Sequence, residues 1–249
     1  MAGLIFFLLG LVIGSFLSSL TYEVAKPKFS WKNLWRRSAC PKCHQQISWY
    51  DNIPLLSYAI LHGRCRQCHK KISLRYPLLE ITTGVVFLLI GLKFWDDGWY
   101  LGIMLLTATL LIAIAVVDIE KMIIPDVLLF PLLTLNLIFL ILFAPSAISI
   151  NFFWASMSAL FLLLVNWVTL GRGMGLGDVK LAFAMGLILG VNTYLAFFVA
   201  FISGAMVGLA LVAVKRAHFG KPIPFGPFLI IGTILTMLFG GEISKLVGL

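Results

Sequence analysis

Charged residues are scarce in this chain of 249 residues. Asp, Glu, Lys and Arg together make up only 12% of it, hydrophobic residues make up 61%, and the mean hydropathy is +1.02. A soluble globular domain carries about 25% charged residues, so the composition excludes an ordinary soluble fold. The sequence instead predicts an all-α polytopic membrane protein whose apolar surface faces lipid.

Acidic residues are scarcer still, with ten Asp and Glu against nineteen Lys and Arg, which gives a net charge of +9. A basic chain can bind nucleic acid, but most of this charge falls in one polar segment, residues 23–76, whose only acids are Glu23 and Asp51. A basic segment beside an apolar run is typical of a cytosolic loop that is attracted to anionic lipid headgroups. We therefore predict a lipid bilayer as partner and no nucleic acid.

Apolar runs of about 20 residues are long enough to cross a bilayer. Eight spans are predicted, at residues 3–22, 77–94, 100–117, 127–144, 152–170, 179–190, 194–214 and 225–238. Residues 179–214 would measure about 54 Å as a single helix, which is too long for one crossing, so we expect this run to break at residues 190–193. The predicted division is a first span (1–22), a cysteine-containing cytosolic loop (23–76) and a membrane-embedded core (77–249).

The basic residues also orient the chain. With the amino terminus outside, the inner loops hold all of the nineteen Lys and Arg except Lys93 and Lys245. This asymmetry follows the positive-inside rule. It predicts that the loop 23–76 is cytosolic.

Cysteine is absent from all but this one loop, where it occurs as Cys40, Cys43, Cys65 and Cys68. Two C-x2-C pairs are typical of a zinc site with four thiolate ligands, in which the metal is structural because no open position remains. A reducing cytosol argues against the alternative of two disulfides. His44 and His69, each next to a cysteine, are alternative ligands.

Two aspartates lie at the edges of apolar runs, Asp118 at the end of the third span and Asp178 at the start of the sixth. A carboxylate at the membrane boundary indicates function, although a helix cap or a local ion pair is the alternative for either one alone. The predicted topology puts both at the same face. Gly175 and Gly177 precede Asp178 and leave room for a substrate backbone. Two carboxylates that share one water molecule are the machinery of an aspartic hydrolase.

The helix ends suggest a role for each carboxylate. Asp118 lies at the carboxyl end of a helix, where the dipole disfavours negative charge, and Asp178 at an amino end, where the dipole favours it. Our hypothesis is that Asp178 is ionised and activates the water. Asp118 is then protonated and donates a hydrogen bond to the scissile carbonyl.

Four sequence blocks together resemble the type IV prepilin peptidases, a family of bacterial inner-membrane G-x-G-D aspartic peptidases, over nearly the whole chain. They are residues 40–80, Asp118 with Pro125 and Asp126, GMGLGDVKL at 173–181, and IPFGPF at 223–228. The resemblance implies that Asp118 and Asp178 are catalytic and that the substrates are type IV prepilins or type II secretion pseudopilins. It also implies cleavage after a glycine, between a basic leader and a hydrophobic helix, and an active site at the cytosolic face of a multi-pass protein.

Many members of this family also methylate the new amino terminus with S-adenosyl-L-methionine. Glu80 matches the family here, but Ser18 and residues 23–25 depart from its Asn and Arg-Leu-Pro pattern. The departure puts methylation in doubt more than proteolysis.

A basic leader entering a basic loop needs acids to receive it. The available candidates are Asp51, Glu80, Glu120 and Asp126, and the alternative for each is a local ion pair with a nearby Lys or Arg. With Lys180, Gly175 and Gly177, the residues Glu80 and Asp126 form the predicted substrate-binding set. The competing function is a transporter or channel with intramembrane aspartates, which would want its charges near the middle of the bilayer.

Overall fold

The protein is described by a computed structural model for residues 2–26, 29–34, 37–171, 173–214 and 223–247. Within these ranges the long elements are all helices, which confirms the all-α prediction. They are α1 (Ala2–Val24), α2 (Trp31–Leu34), α3 (Leu56–Ile60), α4 (Arg75–Lys93), α5 (Gly98–Lys121), α6 (Asp126–Phe143), α7 (Ile148–Val168), α8 (Leu176–Leu189), α9 (Thr193–Ala213) and α10 (Gly226–Val247).

Seven helical segments of the described chain are long and apolar enough to cross a membrane. The sixth, Leu176–Ala213, spans 38 residues, and it consists of two helices, α8 and α9. They are separated by a short 3-10 turn at Gly190–Asn192, where Gly190 has a φ of +56°. Glycine adopts a positive φ at little cost. The turn confirms the predicted break at residues 190–193. The chain is a multi-pass membrane protein.

The first compact unit, Met1–Thr109, is built around the pairing of α1 with α4. A Cβ atom added to Gly10 would lie 2.7 Å from the Cα of Gly84, and one added to Gly14 would lie 2.7 Å from the Cα of Glu80. The two helices therefore touch along their backbones, as small residues allow in membrane helices. Arg75 fixes one end of the pair, since its Nη2 donates to Thr21 Oγ1 at 2.7 Å.

The second compact unit, Leu110–Leu249, is built from the helix pairs α7–α8 and α9–α10, with α8 also in contact with α6 and α10. A side chain on Gly186 would overlap with the backbone of Ala155. Ser158 strengthens the same α7–α8 pair by donating to the carbonyl oxygen of Ala182 at 2.8 Å. Close backbone contact together with buried polar groups is the usual way that membrane helices associate.

The predicted domain division at residues 22/23 and 76/77 stays a prediction. Six of the basic residues on which the predicted orientation depends lie outside the described residues: Lys28, Arg36, Arg172, Lys215, Arg216 and Lys221.

Candidate active site and cysteine centre

Asp118 lies in the last turn of α5 and is buried, with 5% of its surface exposed. Its carbonyl oxygen accepts a hydrogen bond from the amide of Met122 at 2.8 Å, which closes the helix. Met122 has a φ of +55°, and this left-handed residue turns the chain toward Pro125 and the start of α6. The carboxylate of Asp118 is therefore held at the point where the chain leaves one helix for the next.

Asp178 is the third residue of α8, and it is held by the glycine segment that precedes it. Its Oδ2 accepts a hydrogen bond from the amide of Gly175 at 3.0 Å, and its own amide donates to the carbonyl oxygen of Gly175 at 3.1 Å. A carboxylate that caps free N–H groups at a helix amino terminus is stabilised there by the hydrogen bond and by the helix dipole.

The glycine segment is tied to the end of α7 by two further hydrogen bonds. Asn166 Nδ2 donates to the carbonyl oxygen of Met174 at 2.5 Å, and the amide of Gly173 donates to Thr169 Oγ1 at 3.0 Å. Asn166 and Thr169 were not among the predicted site residues. Both are polar residues at the carboxyl end of an apolar helix, and this position could have indicated that they belong to the site.

The two aspartates are brought together at one end of the second unit. Their carboxyl groups are near enough that the charge of Asp178 acts on Asp118. Ile124 lies beside the glycine segment before Asp178 and beside the start of α10. A Cβ added to Gly177 would be 3.1 Å from Ile124 Cβ, and one added to Gly226 would be 3.5 Å from Ile124 Cδ1. The structure thus adds Ile124 and Gly226, which the sequence did not assign to the site.

Asp126 and Lys180, both predicted to bind substrate, form an ion pair with each other, 2.8 Å between Oδ1 and Nζ. Asp126 begins α6 and Lys180 lies on α8. About half of each side chain is exposed, 49% for Asp126 and 52% for Lys180. The local ion pair that the sequence left open as an alternative for Asp126 is therefore present.

Asp51 is paired in the same way within the cysteine loop. Arg66 donates from Nε and Nη2 to the two carboxylate oxygens of Asp51, at 2.9 and 2.6 Å. This two-pronged hydrogen bond, with a smaller Coulombic contribution, holds the pKa of Asp51 below its usual range. The guanidinium also lies over the ring of Tyr50, at 5.5 Å from its centroid.

The sulfur atoms of Cys40, Cys43, Cys65 and Cys68 all lie within 4.8 Å of one another. A tetrahedral zinc ion with bonds of about 2.3 Å to each thiolate requires sulfur separations of about 3.8 Å, so small adjustments suffice. The predicted four-cysteine set is brought together, and four sulfur ligands suit zinc. The amides of Lys42 and then Cys43 hydrogen-bond to Cys40 and lower the pKa of its thiol to about 7.

The two cysteine pairs are copies of one turn. The amide of Cys40 donates to Gln45 and that of Cys65 to Lys70, each at 2.9 Å, and a short antiparallel bridge closes each turn. The residue after the second cysteine has a positive φ in both copies, 57° at His44 and 55° at His69. The two turns share the sequence pattern C-x2-C-H-x2-I-S, at residues 40–48 and 65–73. This internal repeat was not among the predicted features. The cluster consists of the four cysteines and includes neither of these histidines.

Glu80 lies in the first unit and is buried, with 7% of its surface exposed. Its Oε2 accepts a hydrogen bond from the amide of Leu55 at 2.9 Å, and Leu55 has a φ of +59°. The carboxylate lies on the wall of a cavity of about 890 Å³ between α1, α4 and the cysteine loop. Glu80 therefore lines a cavity in the first unit, whereas Asp118 and Asp178 belong to the second.

The fold and the site together point to a class: a multi-pass membrane protein with two aspartates at helix ends, one of them after a G-x-G segment, has the features expected of a membrane aspartic protease. Comparison with known proteins gives the family. Residues 8–94 match the bacterial peptidase A24 N-terminal domain, and residues 105–209 match the type IV leader peptidase family. The chain belongs to this family of prepilin-processing proteases.

Several relatives carry the name prepilin leader peptidase/N-methyltransferase. The one from Pseudomonas aeruginosa is 35% identical over 265 residues, covering 96% of this chain and 90% of the relative. The one from Neisseria gonorrhoeae is 36% identical, with 90% and 85% covered, and the one from Aeromonas salmonicida is 36% identical, with 84% and 73% covered. No solved structure matches the chain significantly.

Proposed function

We propose that Asp118 and Asp178 are the catalytic pair of this protease and that they cleave the leader from type IV prepilins or type II secretion pseudopilins. The observation that carries the proposal is the meeting of the two carboxyl groups, which interact electrostatically at one end of the second unit. Like charges that meet in a partly buried site are a device for assigning acid and base roles. Such a pair has no structural explanation as a salt bridge.

The helix ends suggest how the pair works. Asp178, which accepts a hydrogen bond at the amino end of α8, takes a proton from the attacking water, and Asp118 donates a hydrogen bond to the scissile carbonyl oxygen. The water oxygen bonds to the carbonyl carbon, the C–N bond breaks, and the leaving nitrogen takes up the proton that Asp178 received from the water. The products are a free carboxyl terminus on the leader and a new amino terminus on the pilin. Site-resolved spectroscopy that found the resting proton on Asp178 would contradict this assignment.

The glycines before Asp178 supply room for the substrate. Beyond Asp178 itself and the neighbouring Gly177 backbone, no described atom lies within 4 Å of a Cβ placed on Gly175. An extended peptide can therefore approach the carboxylate closely from this side. A leader cut after glycine, which also lacks a side chain, fits the same restricted space.

The test is cleavage of a purified prepilin by the protein in lipid vesicles. Asp118→Asn and Asp178→Asn should each lower kcat by more than about 10³-fold, with circular dichroism and melting temperature unchanged. Asp96→Asn is the matched control, because Asp96 is an exposed acid between α4 and α5. Full cleavage by either catalytic variant would refute the proposal.

We propose zinc as the occupant of the four-cysteine centre, in a structural role. The four sulfurs would hold the ion and fix the two turns against each other, so the metal would stabilise the loop rather than take part in cleavage.

We further propose methylation of the new amino terminus as a second activity, with the cavity beside Glu80 as the place where S-adenosyl-L-methionine is held. The name of the relatives and a buried carboxylate on a cavity wall support this, because a carboxylate suits a positively charged methyl donor. The bound donor would supply the methyl group, and Glu80 would orient it. Mass spectrometry of the mature pilin tests both activities at once: Glu80→Gln should leave the cleaved mass and remove the added 14 Da of a methyl group.

We propose the bacterial inner membrane as the location, with the active site at the cytosolic face and the cysteine loop near anionic lipid. The positive-inside asymmetry supports this orientation. Labelling of cysteines introduced at Asp96 and at Ser73 with an impermeant reagent should modify only the former in intact cells.

A further inference from the structure

The segment IPFGPF, residues 223–228, leads into α10 and has no role in the function described so far. Gly226 is the first residue of that helix. A Cβ atom placed on it would lie 2.5 Å from Oδ2 of Asp118 and 3.2 Å from its Cγ. Real Cβ atoms essentially never approach another atom to 2.5 Å, so the carboxylate would have to shift. The carboxylate of Asp118 therefore occupies the space that any other residue at position 226 would fill.

A left-handed backbone does not explain the glycine at position 226. The glycines of the described chain with positive φ are Gly63, Gly171 and Gly190, and Gly226 does not belong to this group. Gly226 precedes Pro227, a position at which a Cβ atom disfavours helical angles. The contact with Asp118 is a second and independent reason for a glycine here.

The backbone amide of Gly226 also interacts with the Asp118 carboxylate. The first N–H groups of a helix have no partner within it, and in α10 the others are accounted for. Pro227 has no N–H, and the amides of Phe228 and Leu229 donate to the carbonyl oxygen of Phe225 at 3.0 and 3.2 Å. The Gly226 amide is thus the donor that the first turn of α10 offers to Asp118.

We propose that Gly226 is a positioning residue for Asp118. The start of α10 then lines the active site together with the two segments that carry Asp118 and Asp178. Gly226 orients the carboxylate through its amide, and its lack of a side chain leaves the carboxylate room to face Asp178. Ile124, which lies beside both Gly226 and Gly177, lines the same site. The inference rests on the proposed catalytic role of Asp118.

Gly226→Ala in the full-length protein, in lipid vesicles, tests the inference. An added methyl group must displace the Asp118 carboxylate, and a catalytic group moved by about 1 Å can cost on the order of 100-fold in rate. We expect kcat for prepilin cleavage to fall by about this factor, with KM nearly unchanged and with a shifted pH profile of kcat. Rates are compared per folded molecule, because an alanine before Pro227 also costs some stability.

Gly232→Ala is the matched structural control on the same helix. Its Cβ would overlap with the carbonyl of Ala196 on α9, away from Asp118. It should lower the melting temperature and leave kcat per folded molecule and its pH profile unchanged. The inference is overturned if Gly226→Ala cleaves at the wild-type rate, or if it behaves like Gly232→Ala. If Asp118→Asn itself is active, the proposed function fails first, which keeps the two failures distinguishable.

Discussion

Lys180 on α8 and Asp126 on α6 form an ion pair across two helices that each begin beside a proposed catalytic residue. Asp126 opens the helix that follows Asp118, and Lys180 lies in the same helical turn as Asp178. The ion pair therefore connects the two segments that carry the proposed catalytic residues. Because both side chains are about half exposed, the ion pair contributes little to stability directly. We expect its main effect to be on the relative position of the two segments.

Breaking this ion pair should lower activity moderately. Asp126→Asn and Lys180→Met are each expected to lower kcat/KM about two- to fivefold, which corresponds to the free energy of an exposed pair. The exchange Asp126→Lys with Lys180→Asp should recover most of the loss. Steady-state cleavage of one prepilin with a basic leader measures all four forms.

The same variants separate a second role for Asp126. If Asp126 receives a positive charge of the leader, Lys180→Met frees it and should lower KM for a basic leader. Asp126→Asn would then raise KM for that leader and leave a neutral leader unaffected. A loss in Lys180→Met that is equal for both leaders supports the positioning role instead.

The cysteine centre should bind one zinc ion per chain. We expect elemental analysis of the purified protein to give a zinc-to-protein ratio near one, and Cys43→Ser or Cys68→Ser to lose the metal, because three thiolates bind zinc much more weakly than four. His44→Asn is the matched control: it lies next to Cys43 but outside the cluster, and asparagine tolerates its positive φ. Zinc loss in His44→Asn equal to that in Cys43→Ser would contradict the four-cysteine assignment.

The α7–α8 pair depends on the absence of a side chain at Gly186. Gly186→Ala is expected to destabilise the protein by about 1–3 kcal/mol, as overpacking does, because the new methyl group would overlap with the backbone of Ala155. Gly208→Ala on α9 is the control, since no described atom beyond its chain neighbours and the backbone of its own helix lies within 4 Å of its Cβ position. It should be neutral or raise stability by about 0.5–1 kcal/mol, because alanine is the better helix former. Melting temperatures in one detergent decide between these outcomes.

Hydropathy and charge were sufficient to predict the helical membrane fold and the break at Gly190, because both depend on properties of single stretches of chain. The four-cysteine set was also predictable, since its spacing is local within each turn. The contacts of α1 with α4 were not, because Gly10 and Gly84 are two of 22 glycines and nothing in the sequence shows which of them face each other.

At the candidate site the same limit applies. The residues Asp118 and Asp178 stand out because a carboxylate beside an apolar run is costly, and their catalytic role stays a prediction. Gly226 does not stand out, since its importance arises only from its distance to an atom more than one hundred residues away in the chain. The partners of Asp51 and Asp126 were open for a similar reason: every acid near the loop has several basic residues within reach in sequence.

The ion pair of Asp51 with Arg66 should make the cysteine loop sensitive to acid. Because the folded-state pKa of Asp51 is lowered, the folded loop binds fewer protons at this group than the unfolded loop does. The stabilisation is therefore fully present above the unfolded pKa of about 3.9, and it is lost as pH falls through the lowered folded pKa. A double-mutant cycle of Asp51→Asn and Arg66→Gln isolates this contribution, because acid effects on the thiolates are common to all four forms.

Hydrogen exchange of the loop amides, corrected for intrinsic rates, measures the coupling. We expect it to be favourable at pH 7 and to decline toward zero as the solution is acidified below about pH 4. Replacing Arg66 in the cycle by Arg64, which lies two residues earlier in the same loop, should give no coupling with Asp51 at any pH. A coupling that is unchanged across this range, or that is equal for Arg64, would mean that the general positive charge of the loop, rather than the hydrogen bonds from Arg66, sets the stability.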